Sequence, residues 1–409
     1  MKKRICILLS LTMLLGLLSG CGRTKAEDKY VYIGVIEPMT GDKALYGNWE
    51  RLGIEYARTI RQTVNINGES YIVRLVEKDT ESSVERTVYA ARELAEAGVS
   101  VVLGTYGSTE CSVAAPDLQA ANISAIGITC TDPLVTTNHP NYYRVCYLDG
   151  YQGMMLAQYA YSIGARNVYC LAQNDRDYDQ KMCNDFIAEF KAMGGSVITS
   201  VAEHEYNTYS TNLNDFADFL NGAINNKADL MFAPIPLKKA AQLVGECVAA
   251  NVTFNLLGDD TWDDPSIGEA VLQSYQAVNF ASPFCPDLNE TNQIFVTGFK
   301  DWLEADPRRL EANGGVYEVN SASALAYDAY MVALDAIELA SSADPAAVGE
   351  AIKGVMHEGL TGTICFDGSG DANKTEMFFK GVDNATGSLI YNNTLKTIWR
   401  APEPTEEDE

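Results

Sequence analysis

Residues 82–109 read SSVERTVYAARELAEAGVSVVLGTYGST: a stretch of helical spacing, a glycine, a short β-rich run and a hydroxyl-rich turn, in direct succession. Ser82 and Glu85 stand at the spacing of a capping box, in which hydroxyl and carboxylate each satisfy one free N–H at a helix start. The helix they open runs into Gly98, a residue that accepts the left-handed geometry on which helices often stop. The strand VSVVLGTYG follows at once, and its carboxyl end is polar. Helix then strand, with polar residues gathered after the strand, is half of a βαβ unit.

The same rhythm extends outward from Tyr30 to about Tyr275. Upstream lie the strand candidates YVYIGVIEP and YIVRLVEKD. Downstream come ISAIGITCT, NVYCLAQND, SVITSVAEHEY, ADLMFAPIP, FNLLGDDTW and QAVNFASP, nearly all ending in Gly, Pro, Asp, Ser or Thr. Amphipathic helices lie between them, such as QKMCNDFIAEFKAMGG, which a glycine pair terminates. This alternation predicts α/β architecture with mostly parallel, doubly wound sheets. At 409 residues the chain exceeds the size at which one core keeps growing, so two lobes are expected.

The amino terminus MKKRICILLSLTMLLGLLSGCGRTK has the order of an export signal: Lys2, Lys3 and Arg4, an apolar run from Ile5 to Leu18, then small residues. Leu18-Ser19-Gly20-Cys21 resembles the lipobox of bacterial lipoproteins, which makes Cys21 the lipid anchor and residues 1–20 the signal. A plain cleaved signal and an uncleaved anchor are the other readings of this segment. No later stretch approaches the roughly 20 apolar residues of a spanning helix. The chain after a short tether at residues 21–29 is therefore expected to be extracytoplasmic and held at a membrane surface.

Thirty Lys and Arg against 55 Asp and Glu give a formal net charge of −25, which argues against a nucleic-acid partner. The terminal APEPTEEDE, within residues 399–409, reads as a solvated acidic tail. Of ten cysteines, Cys6 lies in the signal and Cys21 is the anchor, and the remaining eight form no C-x-x-C. Cys130, Cys146, Cys170, Cys247 and Cys365 sit in apolar or helical runs, so buried free thiols are expected there. His139, His204 and His357 are scattered without metal-ligand spacing, and neither metal nor cofactor is expected. Asp367-Gly-Ser-Gly-Asp371-Ala-Asn373 begins like a calcium loop but lacks the glycine at its sixth place, and Phe378 stands where the bidentate Glu belongs, so it reads as a turn between strands.

In open α/β sheets ligands gather outside the carboxyl ends of the strands, where loops and helix starts present free N–H groups. Three such ends precede the middle of the chain: Glu37 to Gly47, Gly104-Thr-Tyr-Gly-Ser-Thr109 and Thr129-Cys-Thr-Asp-Pro133. The hydroxyls of Ser108, Thr109 and Thr131, with backbone amides and a helix dipole, suit a small carboxylate. Taken singly, Ser108 and Thr131 read first as plain helix caps. After the later strands the chemistry reverses sign: Asn174-Asp-Arg-Asp-Tyr178 and Asp259, Asp260 and Trp262 put acids beside rings, an arrangement that suits an ammonium. Asp263 and Asp264 read as solvated or capping residues ahead of Pro265, and Asp260 is the residue expected to point inward.

The collinear set from IEPMTGDKALYGNWERLGIEYA through GTYGSTECSVAAPDLQAANISAIGITCTDPLVT and YYRVCYLDGYQG to LLGDDTWDDP and ALAYDAYMVALDAI resembles the periplasmic amino-acid-binding proteins of leucine/isoleucine/valine type. The resemblance covers roughly Tyr30 to Asn373. It implies the type I periplasmic-binding-protein fold, with two Rossmann-like lobes joined by a three-stranded hinge and closing on a ligand, and it implies a solute receptor that delivers an amino acid to the permease subunits of an ABC importer. Carried over by position, it implies that Ser108 and Thr131, with main-chain groups at Gly107, Thr129 and Cys130, hold a ligand carboxylate, and that Tyr178 and Asp260 hold an ammonium. Tyr46, Trp49, Tyr106 and Trp262 are candidate walls for the ligand side chain, or core. Ala233-Pro-Ile-Pro-Leu237 departs from the family's usual aromatic or glycine-rich loop and leaves the accepted side chain open.

The resemblance also implies a discontinuous first lobe, residues 30–145 and 283–360, and a second lobe of residues 146–282 and 361–398. Crossings are expected near Tyr143 to Leu148, Phe280 to Pro283 and Leu360 to Gly362, with the helix from Ser321 to Ser341 returning to the first lobe. A monomer is expected. An enzyme is disfavoured, since no G-x-S-x-G, phosphate loop or glycine fingerprint is present. An amide, urea or aromatic-acid receptor, and a ligand-sensing surface lipoprotein, remain as alternatives.

Overall fold

A computed structural model describes residues 28–199 and 205–396. The expected signal, the Cys21 anchor, His204 and the acidic tail lie outside the described residues. Among those described, no helix is long and apolar enough to cross a membrane.

The first sheet comprises β1 (Tyr30–Glu37), β2 (Thr63–Ile66), β3 (Glu69–Asp79), β4 (Val101–Gly104), β5 (Ala125–Gly127) and β6 (Tyr142–Arg144), in the order β2-β3-β1-β4-β5-β6. All neighbours are parallel except the β2–β3 hairpin. Helices Ala44–Ile60 and Ser321–Ala340 cover one face, and Val84–Ala97 and Ser108–Ala120 the other. With helices on both sides, β1 is buried from Ile33 to Glu37, which is why it reads as a nearly continuous apolar run rather than an alternating one. The two helices of the first face meet closely: a Cβ on Gly53 would lie 2.2 Å from the Ser323 carbonyl, so only glycine permits that crossing.

The second sheet comprises β7 (Asn167–Gln173), β8 (Ser196–Ile198), β9 (Asn207–Tyr209), β10 (Leu230–Phe232), β11 (Asn255–Gly258) and β12 (Val278–Ser282), completed by β15 (Glu376–Asp383) and β16 (Ser388–Lys396). Its order is β16-β15-β12-β11-β10-β7-β8, and β9 pairs with β7 beyond the end of β8. The βαβ strands are parallel, whereas β15 and β16 add an antiparallel edge that the rhythm up to Tyr275 did not foretell. The hairpin β13 (Met356–Gly359) and β14 (Gly362–Cys365) stands apart from both sheets.

Three details differ from the sequence reading. The helix after β3 is capped by Ser83, whose Oγ accepts from the Arg86 amide, and not by Ser82. Ser82 has a positive φ and its hydroxyl instead donates to the Thr40 carbonyl and accepts from the Lys43 amide, a tertiary use that outcompetes the local cap. The chain also returns to the second sheet later than Leu360 to Gly362: Ile364 is buried in the core of the first sheet and Asp371 pairs with Arg144 of β6, so the chain is still packed on the first lobe at Asp371. The physical cause is that buried ion pair, which the sequence does not display. Finally, Asp263 is not solvated. It is 4% exposed and pairs with buried Lys380 at 2.8 Å, while Asp264 is the expected cap, accepting from the Ser266 amide.

The 367–373 segment is a turn, as read: the Asp367 carboxylate accepts the amides of Ser369 and Asp371. All eight described cysteines are free, seven of them buried and Cys365 partly so.

Candidate functional site

In each sheet the strand order reverses, at β1/β4 in the first and at β7/β10 in the second, and the strand ends beside these points face each other across one crevice. From β4 the chain turns through Gly107, at φ 99°, into helix Ser108–Ala120. Glycine is favoured there because φ 99° is a backbone conformation that residues with a Cβ rarely adopt. Ser108 stands in the first turn, and its Oγ accepts the Asp132 amide at 3.2 Å, tying this loop to the one after β5. In that second loop Thr129 donates its hydroxyl to Glu50, and the Thr131 carbonyl accepts the Asp149 amide at 3.1 Å. Tyr106 stacks on Tyr46 with ring centres 4.9 Å apart and planes 9° from parallel, and Tyr46 meets Trp49 edge-on.

Across the crevice, the Tyr178 hydroxyl lies 3.3 Å from Asp260 Oδ1 and 3.2 Å from Gln152 Oε1. Burial pushes the Asp260 carboxyl up, with Gln152 and Tyr178 opposing the shift. Asp259 beside it is also raised, by burial and then by the Asp260 charge, although Thr261 bonds one of its oxygens. Asp149 is pushed up to about 7 by burial. Arg176 is held by Asp179 at 2.7 Å, lies 5.3 Å from the Tyr178 ring centre and faces Asp259 and Tyr106 electrostatically. Among the described residues, several buried polar atoms at this crevice have no hydrogen-bond partner, including Asp149 Oδ1, Gln152 Nε2, Asp259 Oδ2 and the Tyr147 hydroxyl.

The structure thus brings together Ser108, Thr129, Thr131, Tyr46, Tyr106 and Gly107 on one side, and Tyr178 and Asp260 on the other. Of the other expected residues, Trp262 is the one removed from the crevice. Thr109 follows Ser108 in the first turn of the same helix and is exposed. The Cys130 side chain is fully buried in the first core and its carbonyl is taken by Arg144 Nη1 at 2.7 Å, so of its main-chain groups it is the amide that answers to the expectation. Trp262 is fully buried in the second core, where its indole sits over Gly258; a Cβ on that glycine would lie 2.1 Å from the ring. Sequence reasoning did not single out Glu37, Glu50, Asp149, Gln152 or Arg176. Glu37 had a signal, being a carboxylate at a strand end, whereas Glu50 lies inside a helix and had none.

Lys181, on the helix after β7, reaches Asp132 of the opposite lobe at 2.6 Å. Exposed pairs of this kind contribute about 0.2–1 kcal/mol and are screened by salt. Lys181→Ala is therefore expected to weaken ligand binding by at most about fivefold at low salt, with the difference vanishing near 1 M salt. Titration calorimetry at the two ionic strengths checks this, and a salt-independent loss would exclude a cross-lobe latch.

A cavity of about 480 Å³ also opens between the lobes, lined by Trp49, Asp264, Glu269, Lys300 and Asn320 among others. None of Ser108, Thr131, Tyr178 or Asp260 lines it.

Two α/β lobes whose strand ends oppose each other across a buried polar crevice define a two-lobed binding protein. The chain belongs to the periplasmic binding protein family, whose model matches residues 30–387, and it is a binding protein rather than an enzyme. A leucine binding protein from Thermotoga maritima is similar in structure, with a TM-score of 0.74, 28% identity, and 90% of this chain and 99% of that one covered. A solute binding protein of an ABC transporter from Rhodopseudomonas palustris, in complex with p-hydroxybenzoic acid, has the same fold at 22% identity, with a TM-score of 0.75 and 90% and 98% of the two chains covered. The Leu/Ile/Val-binding protein homolog 3 of Brucella melitensis is 30% identical over 132 residues, which span 32% of this chain and 35% of that relative.

Proposed function

We propose that the protein is the extracytoplasmic solute receptor of an ABC importer and binds an amino acid, branched-chain or similar, between its lobes. The observation that carries this reading is the Tyr178–Asp260 pair, a phenol hydroxyl and an acid 3.3 Å apart in a partly buried setting opposite hydroxyl-bearing loops. In this reading the ligand carboxylate sits on Ser108, Thr131 and the main chain near Gly107 and Thr129, and its ammonium on Tyr178 and Asp260. Neither lobe satisfies both charges, so binding and closure form one equilibrium. The stacked Tyr46 and Tyr106 favour one second reading, an aromatic acid lying against their rings. Such a ligand has no ammonium and would leave Asp260 unpaired.

A thermal-shift screen across the amino acids, simple amides and benzoates separates the two, because a ligand that binds only the folded chain raises its melting temperature. Stabilisation by amino acids and not by benzoates supports the first reading; the reverse pattern defeats it. The permease partner, the monomeric state and lipid attachment at Cys21 belong to the same proposal. Cells fed a labelled fatty acid are expected to label the parent chain, and Cys21→Ala is expected to lose the label and the membrane fraction together. Equal labelling of both would remove Cys21 as the anchor.

A further inference from the structure

Beneath the loops of the first lobe lie two carboxyl groups with no exposed surface, Glu37 at the end of β1 and Glu50 in helix Ala44–Ile60. Each holds one loop. Glu37 Oε2 accepts the Tyr106 amide at 2.9 Å, and Glu50 Oε1 accepts the Thr129 hydroxyl. The other two oxygens, Glu37 Oε1 and Glu50 Oε2, have no donor among the described residues. The two groups are within hydrogen-bonding reach of one another. The titratable groups facing them from the surrounding elements are the Cys130 thiol and the phenols of Tyr106 and Tyr142, and no lysine or arginine forms an ion pair with either among the described residues. The backbone closes over the pair from above: a Cβ on Gly104 would lie 2.3 Å from Glu37 Oε1.

Two carboxylates cannot both stay ionised in such a place, since each would face the other's charge without water or a cation. We propose that Glu37 and Glu50 share a single proton between their facing oxygens and act as a positioning pair, fixing the 104–107 and 128–131 loops while leaving one negative charge beneath them instead of two. The chemistry is that of an acid donating to a carboxylate, with each remaining oxygen free to accept from its loop. Burial raises both groups above the ordinary glutamate range, in keeping with a retained proton. That the loops grip a ligand's anionic end rests on the function proposed above; the shared proton does not.

The test needs no ligand. Acids raised in the folded state keep a proton that the unfolded chain has released, so stability falls as pH rises from the ordinary glutamate range towards the pair's own. In Glu50→Gln the amide nitrogen supplies the hydrogen to Glu37 permanently, and its oxygen still accepts from Thr129. Its unfolding constant should therefore rise less steeply with pH between about pH 5 and about pH 8 than the parent's, by up to about tenfold per pH unit, one proton's worth. Hydrogen exchange of residues 104–107 and 128–131 should stay slow in Glu50→Gln and quicken in Glu50→Ala. An infrared difference spectrum, parent minus Glu50→Gln at neutral pH, should show a protonated-carboxyl stretch. Parallel pH slopes in parent and Glu50→Gln overturn the proposal. If that variant does not fold, Glu37→Gln is measured in its place. If neither folds, absence of any protonated-carboxyl stretch in the parent at neutral pH overturns it.

Discussion

Asp260→Ala is expected to weaken amino-acid binding by about 2–5 kcal/mol, roughly thirty- to several-thousand-fold in Kd, because an ammonium would enter a buried site with its charged partner removed. The same change should not harm the ligand-free protein. Asp260 is partly buried, its carboxyl is raised by desolvation, and its fully buried neighbour Asp259 is raised by desolvation and by the Asp260 charge, so the two acids oppose each other in the free site. Its melting temperature without ligand should stay level or rise, as happens when an active site's stored strain is released. Asp260→Asn separates charge from shape, since the amide can still meet the Tyr178 hydroxyl but cannot neutralise an ammonium. Calorimetric titration with the best amino acid from the screen, beside ligand-free melting curves, measures both effects. Parent-like affinity in Asp260→Ala would remove the residue from the ligand's grip.

The largest stability effect is expected at Arg144. Its side chain has no exposed surface and serves five acceptors: Asp371 and the Thr136 hydroxyl at 2.6 Å, the carbonyls of Cys130 and Asp132 at 2.7 Å, and that of Pro133 at 3.3 Å. It is the peg on which the loop bearing Thr131 hangs, and it also fixes the turn at Asp371. Arg144→Met should destabilise the protein by about 3–5 kcal/mol, because the methionine fills the space but strands a buried carboxylate and three carbonyls. Arg144→Lys should recover little, since an ammonium cannot reach the fork of positions that a planar guanidinium spans. Adding Asp371→Asn to Arg144→Met should recover part of the loss by removing the stranded charge. Urea unfolding of the three variants tests this, and parent-like stability in Arg144→Met would show that the loop is held some other way.

Much of this architecture was legible in the sequence because its signals are local. Strand and helix in an α/β fold announce themselves by apolar period, and the polar residues after each strand mark the crevice without any knowledge of contacts. Tyr178 and Asp260 follow separate strands, in the first turn of the helix after β7 and just beyond β11, and were readable for that reason. What escaped reading depends on partners distant in the chain. Asp263 looks like a surface acid until Lys380 is found beside it, 117 residues on. Ser82 looks like a cap until Thr40 and Lys43 claim its hydroxyl, and Trp262 looks like a wall until its ring is seen folded back over Gly258 into the core. The antiparallel pair β15–β16 followed the last βαβ unit, where the rhythm had already ended.

By itself, then, the sequence determined the α/β class, the two-lobed organisation and the strand ends at which polar chemistry collects, because periodicity and turn residues act over a few positions. Only the tertiary structure decided which carboxylates are buried, which are neutralised by a cation and which face one another unpaired. That assignment depends on desolvation and on partners brought in from far along the chain, as Glu37 with Glu50, Arg144 with Asp371 and Asp263 with Lys380 each show.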